Sequence, residues 1–489
     1  MAKIDELFHY IREHGRIIVN PGEPLIEREA ARFSIANNMG IMAFNSKVKA
    51  RSPDKTVEDI NALTIQPDDI FESVRRILGT GSFYLIDRAI GSSQSLRLKS
   101  ELLISTKYPH LALMFMRNYF PAPEDREPDI RLVDIPEWPE TAVYVDPLNY
   151  STLILGSDYY GELKMSALRL GMHFARERLN MIGLHAGGKV YRWSEHGRTV
   201  ERGALIFGLS GTGKSTLTVS KEEYDGVETI VRQDDIMILT PSGRAFGTEM
   251  NFYPKTDSIP SLPILASGLE HHDAILENVT IKGGKVDFSD LTVSSNGRAI
   301  AIKRSVKLSD DLFDIGSVNY LFFLTRRNDM PVVSKFSCPE QAAAYFLLGE
   351  SVMTSAGTED KSLVNRPVRT LGFDPFIIRP KWKNALILYQ FLKINSSMSA
   401  YLVNTGSVGD SKITPRITLD SLYAVVRGGS KWRRDEILRM DVLDGEGKFN
   451  IYGAFGKEEY EKRMAELRAE RIKYIHENYP EMEFLSAYI

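Results

Sequence analysis

Apolar and polar positions alternate along this chain with changing periods. Leu7, Tyr10, Ile11 and Ile17 fall loosely on one side of a 3.6-residue spiral and predict a helix over residues 1–20. A second helical spacing covers 162–179, and the apolar residues 181–184 that follow predict a short strand. Residues 204–207 form another apolar strand, which enters a glycine-rich turn and then a helix from Lys214. Two apolar runs, 230–231 and Ile236–Leu239, bracket the pair Asp234-Asp235, with a turn at 240–243. From about 280 to 340 the pattern breaks into short β-like stretches, of which Val318–Thr325 is the best formed. Residues 340–350 read as helix. So does Lys457–Asn478, with Tyr460, Met464, Leu467 and Tyr474 roughly on one side and Pro480 closing it. The proline-rich stretch 121–139, carrying Glu124, Asp125, Glu127 and Asp129, reads as an exposed connection. These elements predict an α/β chain with mixed sheets and a nucleotide unit in its second half.

Composition narrows the function classes. A chain of 489 residues splits into two or three packed units. Lys and Arg (61) against Asp and Glu (64) give a net charge of -3, so no global positive field favours nucleic acid. A local basic pocket for a small anion remains compatible with that balance. Cys338 is the single cysteine, which removes intramolecular disulfides and thiolate metal sites. The N-terminus lacks a basic-then-apolar leader, and no apolar run is long enough to span a bilayer, so a cytoplasmic protein without membrane contact is expected. The oligomeric state is left open. His271-His272 precede Asp273 and a run, 274–276, that reads as helical, so the two rings are expected on different faces and not as a metal site.

Gly208-Leu209-Ser210-Gly211-Thr212-Gly213-Lys214-Ser215 matches the phosphate-binding loop in full. Its glycines let backbone N–H groups turn toward phosphates. Lys214 adds a point charge, and the Ser215 hydroxyl can ligate Mg²⁺. Asp234-Asp235, about twenty residues on and beside an apolar strand, places a carboxylate where hydrated Mg²⁺ on a nucleotide can be held. Together these elements specify a nucleoside triphosphate and phosphoryl transfer or hydrolysis; they do not name the acceptor.

The loop from Phe207 to Leu217, including Thr216, closely resembles that of ATP-dependent phosphoenolpyruvate carboxykinases. Other segments agree in the family's order: Arg51-Ser-Pro-Asp-Lys55, Leu276-Glu-Asn-Val-Thr-Ile281 with Val286-Asp-Phe288, Asn296-Gly-Arg298, Ala356-Gly-Thr-Glu359, Tyr401-Leu-Val-Asn-Thr-Gly406 and Arg416-Ile-Thr-Leu419. The resemblance covers most of 200–430 and scattered islands before it. It implies a phosphoenolpyruvate carboxykinase-like α/β fold. A substrate-side domain over 1–180 would join a phosphate-loop domain over 181–489, with a lid at about 296–355 and the active site in the cleft. The implied reaction uses ATP to convert oxaloacetate into phosphoenolpyruvate, CO₂ and ADP. By the same resemblance Arg51 and Arg298 clamp the substrate carboxylate, with Tyr159 and Lys164 on the substrate side. Lys255 sits near the transferring phosphoryl, Arg416 lies near adenine, and Mg²⁺ rides on the ATP held by Gly208, Ser210, Gly211, Thr212, Gly213 and Lys214.

The chain also departs from the family. A second divalent ion, usually Mn²⁺, takes a lysine from Tyr-x-Gly-Glu-x-Lys-Lys, a histidine and an aspartate. Here the segment is Tyr159-Tyr-Gly-Glu-Leu-Lys-Met165, with Met165 at the metal lysine's position. A thioether does not suit Mn²⁺. A one-residue slip would let Lys164 serve instead. His185 stands at the expected histidine, and Asp235 completes the set. Ile236-Met-Ile238 and Met250-Asn-Phe-Tyr-Pro-Lys255 also differ from the family's stretches, and Asp234-Asp-Ile-Met-Ile238 with the upstream Leu184-His-Ala186 looks somewhat like HPr serine kinases, which phosphorylate a hydroxyl. Two alternatives therefore stand beside the carboxykinase: a kinase of a small-molecule or protein hydroxyl, with Asp234 as base, and a non-catalytic nucleotide-dependent regulator.

Overall fold

The computed structural model describes residues 4–124, 126–209, 211–220, 224, 226–352, 366–443 and 447–489. It divides into two compact units, 1–179 with 246–313, and 180–245 with 314–489. Residues 246–313, expected with the nucleotide-binding half, therefore belong to the first unit. The stretch 296–355 is split between the two, and Ala356-Gly-Thr-Glu359 lies outside the described residues.

In the first unit one mixed sheet runs in the order Arg16–Val19, Ser82–Ser93, Leu96–Ser105, Ile130–Ile135, Ser151–Leu155, Ala142–Asp146, Thr56–Val57. The opening helix is Ile4–His14, and it buries Ile4, Leu7, Phe8 and Ile11. It stops short of the expected residue 20. A side chain at Gly15 would meet Ile11 at 2.4 Å and the Leu78 carbonyl at 2.8 Å, and Ile17 instead joins a parallel strand. The helix Tyr160–Leu179 is buried on nearly every side as far as Met172. A small sheet pairs Ile275–Glu277 with Arg298–Ile300 and Met42–Phe44. That pairing corrects the helical reading of 274–276: two strand partners override a short, ambiguous apolar run.

The second unit is built on a larger mixed sheet. Its order includes Ile236–Leu239, Ile182–Glu195, Arg198–Phe207, Val318–Thr325, Ser399–Asn404, Val333–Lys335, Met440–Leu443 and Trp432–Asp435, with Val227–Gln233 also paired to Ile182–Glu195. Val318–Thr325 lies parallel to both its neighbours, and its residues 321–325 are all buried, as a strand covered on both faces should be. The helix Pro339–Leu348 starts with proline in its first turn and ends at left-handed Gly349. The long helix Lys457–Asn478 buries Tyr460, Met464, Leu467, Arg471 and Ile475. Among the described residues no helix is long and apolar enough to cross a membrane.

Candidate active site

In the second unit the strand Arg198–Phe207 runs into the phosphate loop, and the helix Lys214–Val219 leaves it. A side chain at Gly208 would come within 2.3 Å of the Thr212 hydroxyl, which donates to the Leu209 carbonyl at 2.7 Å. Gly213 has φ 98, a conformation that favours glycine. Arg326 donates to the Gly211 carbonyl at 2.9 Å and Thr405 to the Thr212 carbonyl at 2.8 Å. Because a peptide unit is planar, fixing the Thr212 carbonyl turns the Gly213 N–H away from Thr405. Behind the helix, buried Lys189 donates to the carbonyls of Leu217 and Ser220 and satisfies its C-terminal end. Ser215 is exposed, Thr216 is half-buried, and Ser210 lies outside the described residues.

Three predicted residues meet beside this loop. Asp235 Oδ1 lies 3.4 Å from Lys214 Nζ and 3.0 Å from His185 Nε2. His185 Nδ1 is 3.1 Å from the Phe373 carbonyl. A carbonyl only accepts, so Nδ1 carries a proton, and Nε2 is the ring nitrogen turned toward Asp235. Asp234 separates from its neighbour and is buried. Arg416 is exposed, paired with Asp420 and set over the Tyr224 ring, which stacks on Tyr423 at 3.6 Å.

The first unit gathers the remaining candidates. Arg51 Nε is 3.6 Å from Glu162, which also accepts from the Ser52 N–H at 3.2 Å. Arg298 Nε donates to Asn296, whose amide in turn donates to the Tyr159 hydroxyl at 2.8 Å. The Arg298 guanidinium lies 5.6 Å from the centre of the Tyr253 ring. Tyr253 donates its hydroxyl to buried Glu277, which also accepts from the Tyr160 N–H at 2.8 Å. Burial pushes Glu277 up to about 7 against those hydrogen bonds and Arg298. Lys255 is bridged to Arg298 through the backbone. Burial lowers its pKa, Asp257 opposes the shift and Arg298 adds to it. Crowded cations of this kind suit an anionic ligand.

The profile of the phosphoenolpyruvate carboxykinase family, in its ATP-using class, matches residues 40–436. The phosphoenolpyruvate carboxykinase (ATP) of Aeropyrum pernix is 39% identical over 487 residues, covering 96% of each chain. That of Dictyostelium discoideum is 27% identical over 89% of this chain and 83% of its own. That of Rubrobacter xylanophilus is 28% identical over 83% and 80%. The chain belongs to the ATP-dependent phosphoenolpyruvate carboxykinase family.

Lys164 and Met165 sit in one helix, about 100° apart around its axis. Lys164 is buried, 3.1 Å from Glu249, which also accepts from Asn118 at 2.7 Å. Glu162 and Met165, three apart, share a helix side instead. Lys164 and Met165 therefore face different sides of the helix. Several partners escaped the sequence reading: Glu249 and Glu277, far along the chain from the cations they meet, and Arg326, Thr405 and Phe373 in the second unit. The available signals were Glu277 within the matched segment 276–281 and Thr405 within 401–406. His271 and His272 are a correction of another kind. Their rings stack at 4.4 Å, and their donor atoms and Asp273's lie within 4.8 Å of one another. Arg304 and Arg117 lie at 3.3 and 3.5 Å from the same Asp273 carboxylate, so cations already neutralise that cluster.

Proposed function

We propose that this protein converts oxaloacetate and ATP into phosphoenolpyruvate, CO₂ and ADP. The 39% identity to a phosphoenolpyruvate carboxykinase (ATP) along 96% of both chains carries the reading. Decarboxylation leaves the enolate of pyruvate, whose oxygen attacks the γ-phosphorus of ATP and displaces ADP. Cationic donors lower both barriers because charge develops on the enolate and on the transferring phosphoryl. Arg51, oriented by Glu162, and Arg298, oriented by Asn296, bind the substrate carboxylates. Tyr159 lines the same side through its hydrogen bond to Asn296, and Lys164 acts from behind, with Tyr253 and Glu249. Lys255 and Lys214 neutralise phosphoryl oxygens. Gly208, Ser210, Gly211, Thr212, Gly213 and Thr216 cradle the phosphates, and Arg416 lies near adenine.

The donor set fits a divalent cation on the nucleotide. Ser215 offers an exposed hydroxyl and Asp235 a carboxylate, ligands of the kind Mg²⁺ takes. His185 Nε2 and the Asp235 carboxylate beside it also fit one end of a Mn²⁺ site, whereas a thioether such as Met165 does not suit that ion. When bound, such an ion supplies Lewis-acid charge for the enolate and phosphoryl oxygens. The reading includes a domain layout of substrate side and nucleotide side with a lid, and a cytoplasmic setting with nucleotide and small anion as partners. Family membership favours it over the hydroxyl kinase and the regulator, and Asp234, the base a kinase would need, is buried.

Purified protein given ATP, Mg²⁺, Mn²⁺ and oxaloacetate should form phosphoenolpyruvate and ADP together, and Lys214→Ala should lose both. ATP binding without phosphoenolpyruvate would overturn the assignment.

A further inference from the structure

Arg51 stands in a stretch without regular structure. Residues 45–52 lie between the strand Met42–Phe44 and the short 3₁₀ turn Pro53–Lys55, and form neither helix nor strand. Backbone groups in such a stretch need partners from elsewhere, and here side chains supply them. The Ser46 N–H donates to Asn278 Oδ1 at 2.9 Å, and the Lys49 carbonyl accepts from the Asn296 amide at 3.0 Å. Between these two, the N–H groups of Lys47 and Val48 converge on one carboxylate. Asp158 Oδ1 accepts from both, at 2.9 and 3.0 Å, and Oδ2 accepts from the Lys47 N–H at 2.8 Å. Asp158 is 8% exposed.

The contact between Arg51 and Glu162 is of a different kind. At 3.6 Å it is an attraction of charges, longer than a hydrogen bond and weakly directional. It draws the guanidinium toward Glu162 without fixing where the residue's backbone lies. The backbone is fixed on either side: Glu162 holds the Ser52 N–H, and Asp158 holds those of Lys47 and Val48. The two carboxylates flank Tyr159 at the start of the helix Tyr160–Leu179, so one stretch of chain carries both clamps and the tyrosine. A carboxylate on backbone N–H groups makes charge-assisted bonds, about twice as strong as neutral ones. With both oxygens engaged on the backbone, Asp158 is placed to hold the chain.

We propose that Asp158 is a positioning residue for Arg51, fixing the loop 46–52 so that the guanidinium is presented to the substrate carboxylate. The inference rests on the reading of Arg51 as a substrate-binding residue.

The test is a double-mutant cycle on phosphoenolpyruvate formation by the full-length protein, with Arg51→Ala, Asp158→Ala and the two combined. Asp158→Ala should lower kcat/KM for oxaloacetate about tenfold, while KM for ATP stays at its wild-type value. In the Arg51→Ala background the same substitution should cost less than about twofold, because the group it positions is gone. Asp158→Ser, whose hydroxyl is too short to reach both N–H groups, takes the place of Asp158→Ala if that chain does not fold. Asp158→Asn is the conservative control. Oδ1 alone reaches both N–H groups, so an amide oxygen there should keep kcat/KM within about threefold of wild type.

A second readout needs no turnover: phenylglyoxal labels arginine side chains, and the rate at Arg51 is followed by peptide mass spectrometry. The Arg51 side chain is 18% exposed, and Asp158→Ala should raise its labelling rate about threefold or more. An unchanged labelling rate, or a kcat/KM loss of the same size in the Arg51→Ala background, overturns the inference. A wild type that forms no phosphoenolpyruvate overturns the carboxykinase reading instead, and labelling then decides the role of Asp158 alone.

Discussion

Two buried glutamates, one in each unit, are treated in opposite ways. Glu277 in the first unit is 1% exposed and Glu350 in the second is 4% exposed. Burial alone would raise both. Glu350 accepts from Arg471 at 2.7 and 3.2 Å, from Arg327 at 3.2 Å and from Arg369 at 2.8 Å. Against burial, those guanidinium groups hold it well below the usual carboxylate range. Glu277 has a tyrosine hydroxyl, one backbone N–H and the more distant pull of Arg298, and it rises to about 7. The first arrangement is charge-compensated and ties the helix Lys457–Asn478 to the strands Glu350–Val352 and Pro367–Arg369. The second leaves a carboxyl poised near neutrality beside Arg298. A cluster that closes its own charges serves the fold; one left short is available to a ligand.

Breaking the compensated cluster should have the largest effect. Glu350→Gln takes the carboxylate from buried Arg471, while Arg327 keeps Asp329 and Arg369 keeps Glu470, and removing one partner of a buried ion pair costs about 3–5 kcal/mol. Urea denaturation at pH 7 measures this loss. The stabilisation in wild type is present above the unfolded carboxylate value and fades as pH falls, since the folded group is depressed. A loss under 1 kcal/mol would dissolve the contrast between the two glutamates.

Glu277 should behave with the opposite sign. Its folded value is raised from 4.5 to about 7, so its contribution is present below pH 4.5 and lost as pH climbs through 7. The span corresponds to roughly 3 kcal/mol at most. Hydrogen exchange in the strands Ile275–Glu277 and Arg298–Ile300 should quicken across that window in the wild type, and Glu277→Gln should remove the dependence. A pH-independent wild type would mean that Tyr253, the Tyr160 N–H and Arg298 compensate Glu277 as fully as the arginines do Glu350.

What could be read in the sequence was local. The strand Val318–Thr325 and the helix Lys457–Asn478 emerge with their expected bounds because their periods are long and unbroken. The phosphate loop was legible because its residues are contiguous and its spacing is itself the chemistry. Partnerships across the chain were not. The strand Ile275–Glu277 exists because two distant strands flank it, and Glu249 reaches Lys164 only after 246–313 folds with the first unit. Arg471 falls outside the apolar positions read on its helix and is buried because Glu350 waits inside. Phe373 carries no motif; the place of its carbonyl against His185 Nδ1 comes from a left-handed turn that spacing does not announce.

The smallest effect sharpens the comparison from the solvent side. Arg416 and Asp420 lie four apart on the helix Pro415–Arg427, with side chains 65% and 47% exposed. An exposed pair at this spacing contributes about 0.3–0.5 kcal/mol, because water already solvates both charges. Arg416→Ala should therefore leave the denaturation midpoint almost unchanged. It also removes a cation set over Tyr224, which stacks on Tyr423. If Arg416 lies near adenine, the variant should raise KM for ATP several-fold while KM for oxaloacetate stays at its wild-type value. An unchanged KM for ATP would remove Arg416 from the nucleotide site and leave its pair with Asp420 as a surface contact. The cost of losing a charge then follows burial and compensation, from Glu350 through Glu277 to Arg416, and only the last of the three separates stability from substrate binding.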